Sequence, residues 1–306
     1  FYTEHPPLLE VDPVIVTGNG TFAMAWTSGA GVALDGFDPS NAEDGFVEED
    51  ISDMTAEYVS VDLAFDGSLY HVLTAAQRSG GNSTVEMHSF ELENEIFDHF
   101  GTPIVFSATN SPHSAVIATQ PGSVVLAWVE GTGANSAITV AGTSSTSGSI
   151  VRNESRIISS SIVDLELVPM RSGTFGLLFR QFIPERGSNE VFFSILTVDA
   201  QGASWAPPFL VSAPSVDAAT PTATYSNQTL ATLWHTDVDG GFRGVLALID
   251  PVRPSSMSRY SLRNVGDRAV SASVVSGSGE EIFFLSHRES ATGETQIDLG
   301  RLFCGD

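Results

Sequence analysis

The chain has 306 residues, with 37 acidic and 13 basic side chains and a formal charge of −24. At 42% hydrophobic and 16% charged it is too apolar for a disordered chain and long enough to bury a core of its own. The charge opposes nucleic acid and anionic lipid as partners, since both are polyanions, and no uninterrupted apolar run reaches the length of a membrane span.

In chain order, residues 1–10 precede any regular pattern. A short strand is predicted at 14–16, then a small polar turn, then the apolar run Thr21-Phe22-Ala23-Met24-Ala25-Trp26, then a strand at 31–34. The same order returns as 62–65, Gly67-Ser68-Leu69-Tyr70-His71-Val72-Leu73 and 84–90, and again as 115–119, Gly122-Ser123-Val124-Val125-Leu126-Ala127-Trp128 and 137–141. A fourth copy is 165–168, Gly173-Thr174-Phe175-Gly176-Leu177-Leu178-Phe179 and 190–197, closed by a less regular segment at 205–212. The fifth is 222–225, Gln228-Thr229-Leu230-Ala231-Thr232-Leu233-Trp234 and 242–249, closed by 259–264. The sixth is 273–275, Glu280-Glu281-Ile282-Phe283-Phe284-Leu285-Ser286 and 295–303, after which the sequence runs out. The apolar runs end at 26, 73, 128, 179, 234 and 286, at steps of 47, 55, 51, 55 and 52.

Strands of β-branched and aromatic residues, turns of Gly, Asn, Asp and Pro, and a period of about fifty residues predict an all-β, six-bladed β-propeller with four-stranded antiparallel blades. The blades are expected at about 11–58, 59–108, 109–158, 159–212, 213–264 and 265–306 plus 1–10, as one domain over 1–306. The central run is apolar on both faces, which fits a sheet packed between two neighbouring sheets. The sixth unit lacks a fourth strand, so residues 1–10 are expected to supply it, removing an exposed edge. Deleting residues 1–9 should then lower the melting temperature of the whole protein; an unchanged melting temperature counts against that closure. A pair of β-sandwiches is the alternative fold.

Charge is uneven. Residues 1–77 hold fourteen acids and no base, and the thirteen bases are all Arg, seven of them between Arg243 and Arg301. The absence of Lys fits either Arg-biased codon usage or a surface adapted to salt. The one cysteine, Cys304, forms no internal disulfide. Asn-x-Ser/Thr sequons stand at Asn19, Asn82, Asn153 and Asn227, a frequency that chance alone gives in a Ser- and Thr-rich chain.

Val61-Asp62-Leu63-Ala64-Phe65-Asp66-Gly67-Ser68-Leu69-Tyr70 and Val124-Val125-Leu126-Ala127-Trp128 resemble the repeats of secreted bacterial, myxobacterial-type propeller proteins. That resemblance covers all six units loosely; the terminal Phe303-Cys304-Gly305-Asp306 resembles the start of a Cys-Gly-Asp-Gly module that follows such domains. It implies an extracytoplasmic location (periplasmic, cell-surface or secreted) and a binding or adhesive role in a larger assembly. Thr197-Val198-Asp199-Ala200-Gln201-Gly202-Ala203-Ser204-Trp205 resembles a sialidase Asp box, with one extra residue between Asp and Gly, and that box is structural. Sialidase chemistry implies three Arg on a carboxylate, a Tyr–Glu nucleophile pair and an acid. Arg78, Arg180 and Arg288 follow the apolar runs and could approach one rim; the simpler reading is surface or inter-blade Arg.

Asp237-Val238-Asp239-Gly240-Gly241 resembles the start of a calcium loop, but no Glu closes it, and an acidic hairpin turn is the simpler reading. The acid-rich stretch 35–53 could collect divalent ions or merely be solvated. His235 and His287 hold equivalent positions and could meet on zinc, though no third ligand is evident. His71 is expected to be packed. Asp164 and Glu166 alternate on a predicted inner strand and could form an acid–base pair or line a wet channel. Trp26, Trp128, Phe179 and Trp234 read as inter-blade core, leaving Trp205 as the aromatic for an exposed contact.

No nucleophile elbow, phosphate loop or dinucleotide fingerprint occurs. The expected function is a non-enzymatic binding or scaffold module whose rim takes a protein partner. A lectin-like carbohydrate binder is the alternative, and a sialidase-type glycosidase the enzymatic one. No cofactor is expected, with Ca2+ the single candidate ion.

Overall fold

The computed structural model describes residues 11–27, 31–37, 39, 47–53, 55–78, 83–93, 96–108, 110–143, 152–157, 161–199, 202–238, 241–262, 268–276, 281–289 and 295–303. These form six antiparallel sheets, in sequence order and without crossovers between sheets. The first holds β1 (Val11–Gly18), β2 (Thr21–Thr27), β3 (Gly31–Phe37) and β4 (Val47–Ser52). The second holds β5 (Ala56–Phe65), β6 (Tyr70–Arg78), β7 (Thr84–Glu93), β8 (Ile96–His99) and β9 (Ile104–Ser107). The third holds β10 (Pro112–Gln120), β11 (Ser123–Glu130), β12 (Ala137–Thr143) and β13 (Arg152–Ile157). The fourth holds β14 (Ile162–Pro169), β15 (Thr174–Ile183), β16 (Ser188–Asp199), β17 (Gly202–Trp205) and β18 (Phe209–Leu210). The fifth holds β19 (Ala218–Ser226), β20 (Thr229–Val238), β21 (Gly241–Ile249) and β22 (Ser258–Ser261); the sixth holds β23 (Arg268–Ser276), β24 (Glu281–Glu289) and β25 (Thr295–Phe303). No α-helix occurs among the described residues, and none there is long and apolar enough to cross a membrane.

Six such sheets make a six-bladed β-propeller. Three blades have the expected four strands. In the second and fourth, the long third strand (ten and twelve residues) is shared by two short outer strands, β8 and β9 on β7, and β17 and β18 on β16. The sixth has three strands among the described residues, and residues 1–10, expected to complete it, lie outside them. The acid-rich stretch 35–53 is partly strand: β4 carries Glu48, Glu49 and Asp50 and pairs with β3 as the outer strand of its sheet.

One irregularity repeats in all six blades. The first strand slips register against the second between Val11 and Val14, Tyr58 and Ser60, His113 and Val116, Ile162 and Asp164, Ala219 and Thr222, and Ala269 and Ser271. Such a bulge bends the strand that carries it and increases its local twist. The turn before the second strand needs left-handed backbone. Asn19 and Gly20 supply it in the first blade (φ 50° and 85°), and Asn227 and Gln228 in the fifth (φ 46° and 65°).

Packing explains the unbroken apolar runs. Seven consecutive residues of β6, Tyr70 to Ala76, are buried, so both faces of the sheet are covered. Contacts group the chain into two compact units, residues 1–157 with 198–203, and residues 158–197 with 204–306. Within the first, one core joins Ala25 and Leu34 to Tyr58, Val72 and Phe90, and a second joins Leu73 and Met87 to Ile117, Leu126 and Trp128. Within the second, Phe193 and Leu178 pack with Trp234 and Ile249, and Leu233 with Val274 and Ile282. Each core therefore lies between successive blades. Trp26, Trp128, Phe179 and Trp234 are all buried, as their shared repeat position implies.

The edge of a first strand has no β neighbour on its inner side, and side chains of the preceding blade satisfy it. The Ala115 N–H donates to Ser60 Oγ (2.9 Å) and the Ile117 N–H to Asp62 Oδ2 (2.8 Å), while Thr119 Oγ1 donates to the Phe65 carbonyl (2.7 Å). Blades five and six repeat the device, with the Ser276 N–H donating to Thr224 Oγ1 (3.2 Å). The Asp-Gly turn in blade two has its own logic: Asp66 Oδ1 accepts the N–H groups of Ser68 and Leu69, and the Tyr70 hydroxyl reaches the Gly18 carbonyl of blade one (2.9 Å).

Candidate functional site

In the first unit the richest polar cluster forms where β6 ends. Arg78 donates from Nε and Nη2 to Asp53 Oδ2 (3.1 and 3.0 Å), from Nη2 to Glu86 Oε1 (3.1 Å), and from Nη1 to Thr84 Oγ1. The Thr84 hydroxyl donates to Glu86 Oε1 (2.7 Å), and His88 Nε2 lies 3.5 Å from Glu86 Oε2. Thr84, Glu86 and His88 alternate on β7, so strand periodicity places them on one face. The Thr55 hydroxyl and N–H, and then Arg78, hold Asp53 at about 2. The His88 imidazole, and then Thr84 and Arg78, hold Glu86 at about 2 in spite of its burial. Tyr58 is buried in the adjoining core, and its phenol is pushed up by burial and by the Glu86 and Asp53 charges.

This cluster brings a Tyr, a Glu and an Arg together, an arrangement the sequence reading did not find. The shifts run against its use as a nucleophile. A Tyr–Glu nucleophile needs an activated phenol and a carboxylate basic enough to take its proton. Here the phenol is raised, the carboxylate is lowered, and Tyr58 is only 6% exposed. The arrangement instead ties the loop before β5 to the third strand of its blade. The signal for it in the sequence was two ionisable residues, Glu86 and His88, at alternate positions of a strand, interleaved with the apolar Val85 and Met87.

In the second unit Arg180 is also committed. Its Nε lies 2.6 Å from Asp164 Oδ2, and its Nη1 donates to the Ala218 carbonyl (3.3 Å). Asp164 thus serves an ion pair within its blade, opposite Arg180 in the β14–β15 register. Nearby in the chain, Glu190 is wholly buried. Its carboxylate accepts from Arg186 Nη1 (2.6 Å), Ser188 Oγ (3.3 Å) and the Ser215 N–H (2.8 Å). His235 is 2% exposed, its Nδ1 lies 3.0 Å from Thr220 Oγ1, and burial lowers its pKa. That environment disfavours the charged form of the ring and holds it packed.

Arg78 and Arg180 fall in different compact units. Arg288 lies on β24 opposite Ala269 and Gln296, and its side chain is outside the described residues. Trp205 ends β17 and is half-buried. Asp237 is exposed near the end of β20, and Asp239 lies outside the described residues, so the calcium-loop expectation rests on the sequence alone. Among the described residues no trio of His, Cys, Asp or Glu is grouped to hold a metal ion. His71 is packed, between Asp66 Oδ2 (3.0 Å) and Ser89 Oγ (2.9 Å).

The fold defines the class: this is a six-bladed propeller built of bulged, mutually packed sheets. No protein-family model matches the sequence, and no curated protein matches it. Solved structures do. A neuraminidase-like protein of A/little yellow-shouldered bat aligns over 97% of this chain and 96% of its own, with a TM-score of 0.61 and 13% identity. A sialidase of Streptococcus pneumoniae aligns over 97% of this chain and 68% of its own, with a TM-score of 0.53 and 9% identity. A Trypanosoma rangeli sialidase aligns over 97% of this chain and 55% of its own, with a TM-score of 0.55 and 9% identity. At these identities the likeness is one of fold.

Proposed function

We propose that this chain is a non-enzymatic, extracytoplasmic binding module that uses its propeller rim for a protein partner within a larger assembly. The observation that carries the reading is the state of the two described arginines that sialidase chemistry would enlist. Arg78 already holds two carboxylates of its own chain, and Arg180 holds one. A substrate carboxylate would have to displace these partners, and Glu86, the most buried of them, would be left without its cation. What remains is a rigid scaffold presenting loops, the usual seat of recognition.

Carbohydrate binding is the second reading, favoured by a fold likeness to sialidases and neuraminidase-like proteins. Incubation with a fluorogenic sialoside is expected to release no fluorophore above the buffer rate. Saturable release that disappears in Arg78→Lys would overturn the non-enzymatic reading. A glycan array then separates the two binding modes, since a protein-binding rim leaves it blank.

A further inference from the structure

We infer that a cleft between blades four and five is a binding site for a small carboxylate carried on a six-membered ring. The cleft has a volume of about 210 Å³ and is lined by Met170, Arg171, Thr174, Ile195, Tyr225, Pro251 and Val252. At about 30 Å³ per water, that is room for roughly seven waters, or one ring, and less than a drug-sized pocket. It opens where the β14–β15 and β19–β20 hairpins and the loop after β21 come together, all within the second compact unit.

Its walls are mostly apolar, and its one charge is Arg171. That guanidinium differs from those of Arg78, Arg180, Arg186, Arg253 and Arg301, each of which is within ion-pair distance of a carboxylate. Arg171 donates from Nε to the Tyr225 hydroxyl (3.2 Å) and from Nη2 to Gln228 Oε1 (2.7 Å), both neutral acceptors. Among the described residues no carboxylate lies within ion-pair distance of it. The nearest acid in the loop, Asp250, is occupied by the Arg253 Nε–H (2.9 Å) and the Val252 N–H (2.9 Å). Arg259 likewise rests on neutral acceptors, the Val211 and Ser212 carbonyls, but it is not among the residues lining this cleft; in a chain of net charge −24, Arg171 is a neutral-partnered cation set against a cavity.

The geometry of the guanidinium fits a carboxylate. Of its five N–H donors, Tyr225 and Gln228 take two, leaving both on Nη1 and one on Nη2. Those remaining donors form the fork that grips a carboxylate through two parallel hydrogen bonds. The two existing bonds fix the plane of the fork in advance, which reduces the ordering cost of binding. Tyr225, Ile195, Met170 and the 71% exposed Val252 offer apolar surface for one face of the ring. An aryl acid and a uronic acid share this chemistry, and the inference is independent of whether the protein is an enzyme.

The test is a methyl NMR titration of the intact protein with sodium benzoate and, separately, sodium glucuronate, followed at Ile195 and Val252. At least one acid is expected to shift those methyls saturably, with a dissociation constant of about 1 mM, and which acid does so identifies the source. Arg171→Gln and Val252→Asp, both at exposed positions, should each weaken binding about tenfold or more while leaving the melting temperature unchanged. Benzyl alcohol and glucose, the uncharged counterparts, should bind about tenfold more weakly than the matching acid. The inference fails if neither acid moves the two methyls, if Arg171→Gln binds as the wild type does, or if the neutral counterparts bind equally well.

Discussion

Replacing Arg186 by methionine is expected to destabilise the protein by about 3 kcal/mol, read as the loss in unfolding free energy in urea. Removing one partner of a buried ion pair costs about 3–5 kcal/mol because the other charge is left uncompensated. Glu190 is wholly buried and Arg186 is 41% exposed on its side chain, so the low end of that range applies. The Ser215 N–H and the Ser188 hydroxyl would remain on the carboxylate, but neither carries charge. Adding Glu190→Gln to Arg186→Met should recover about 1 kcal/mol or more, since a neutral amide tolerates burial better than an unpaired carboxylate. A loss below about 0.5 kcal/mol in the single variant would mean that water already screens the pair.

Asp62 should make stability fall as pH rises. Burial pushes its carboxyl up from 3.8 to about 7, against the opposing pull of the Ile117 and Leu63 N–H groups. A group whose pKa is higher in the folded protein holds its proton there after the unfolded chain has released it. Its contribution is complete below about pH 4 and is lost as pH climbs through 7. The full shift would amount to about 4 kcal/mol, but the residue keeps some exposed surface, and screening should reduce this to about 2 kcal/mol. The check is the difference in unfolding free energy between wild type and Asp62→Asn at pH 4.5 and pH 8. The wild type should lose about 2 kcal/mol relative to the variant over that interval. A difference that is flat with pH would show that the two N–H bonds keep the carboxylate ionised throughout. Taking the difference matters because Asp53 and Glu86, both held at about 2, act in the opposite sense at the acid end and cancel between the two proteins.

Much of the architecture could be read directly from the sequence. The recurring apolar runs mark the second strand of every blade, and the burial of Trp26, Trp128, Phe179 and Trp234 follows from their common position. The subdivision of the outer strands in blades two and four was not legible, because β8, β9, β17 and β18 are only two to four residues long. Segments that short carry too little periodicity to be told from turns. The repeated bulge was hidden for a related reason: a one-residue slip shows in pairing, not in composition.

The polar clusters divide the same way. Arg78 and Arg180 could be singled out as cations at strand ends, but their partners could not. Asp53 and Glu86 stand 25 and 8 residues away from Arg78, and Asp164 stands 16 before Arg180. Arg171 attracted no notice in the sequence, since its isolation from carboxylates depends on where hairpins of two different blades end.

By itself, the sequence determined the strand order, the number of blades and the surfaces that must be buried, because alternation and repetition are local properties of a chain. Only the tertiary structure decided which charges meet. Ion pairing depends on close contacts between residues brought face to face by strand pairing and turns within a blade, as for Asp164 and Arg180, and the register and bulges that set who faces whom cannot be read from composition.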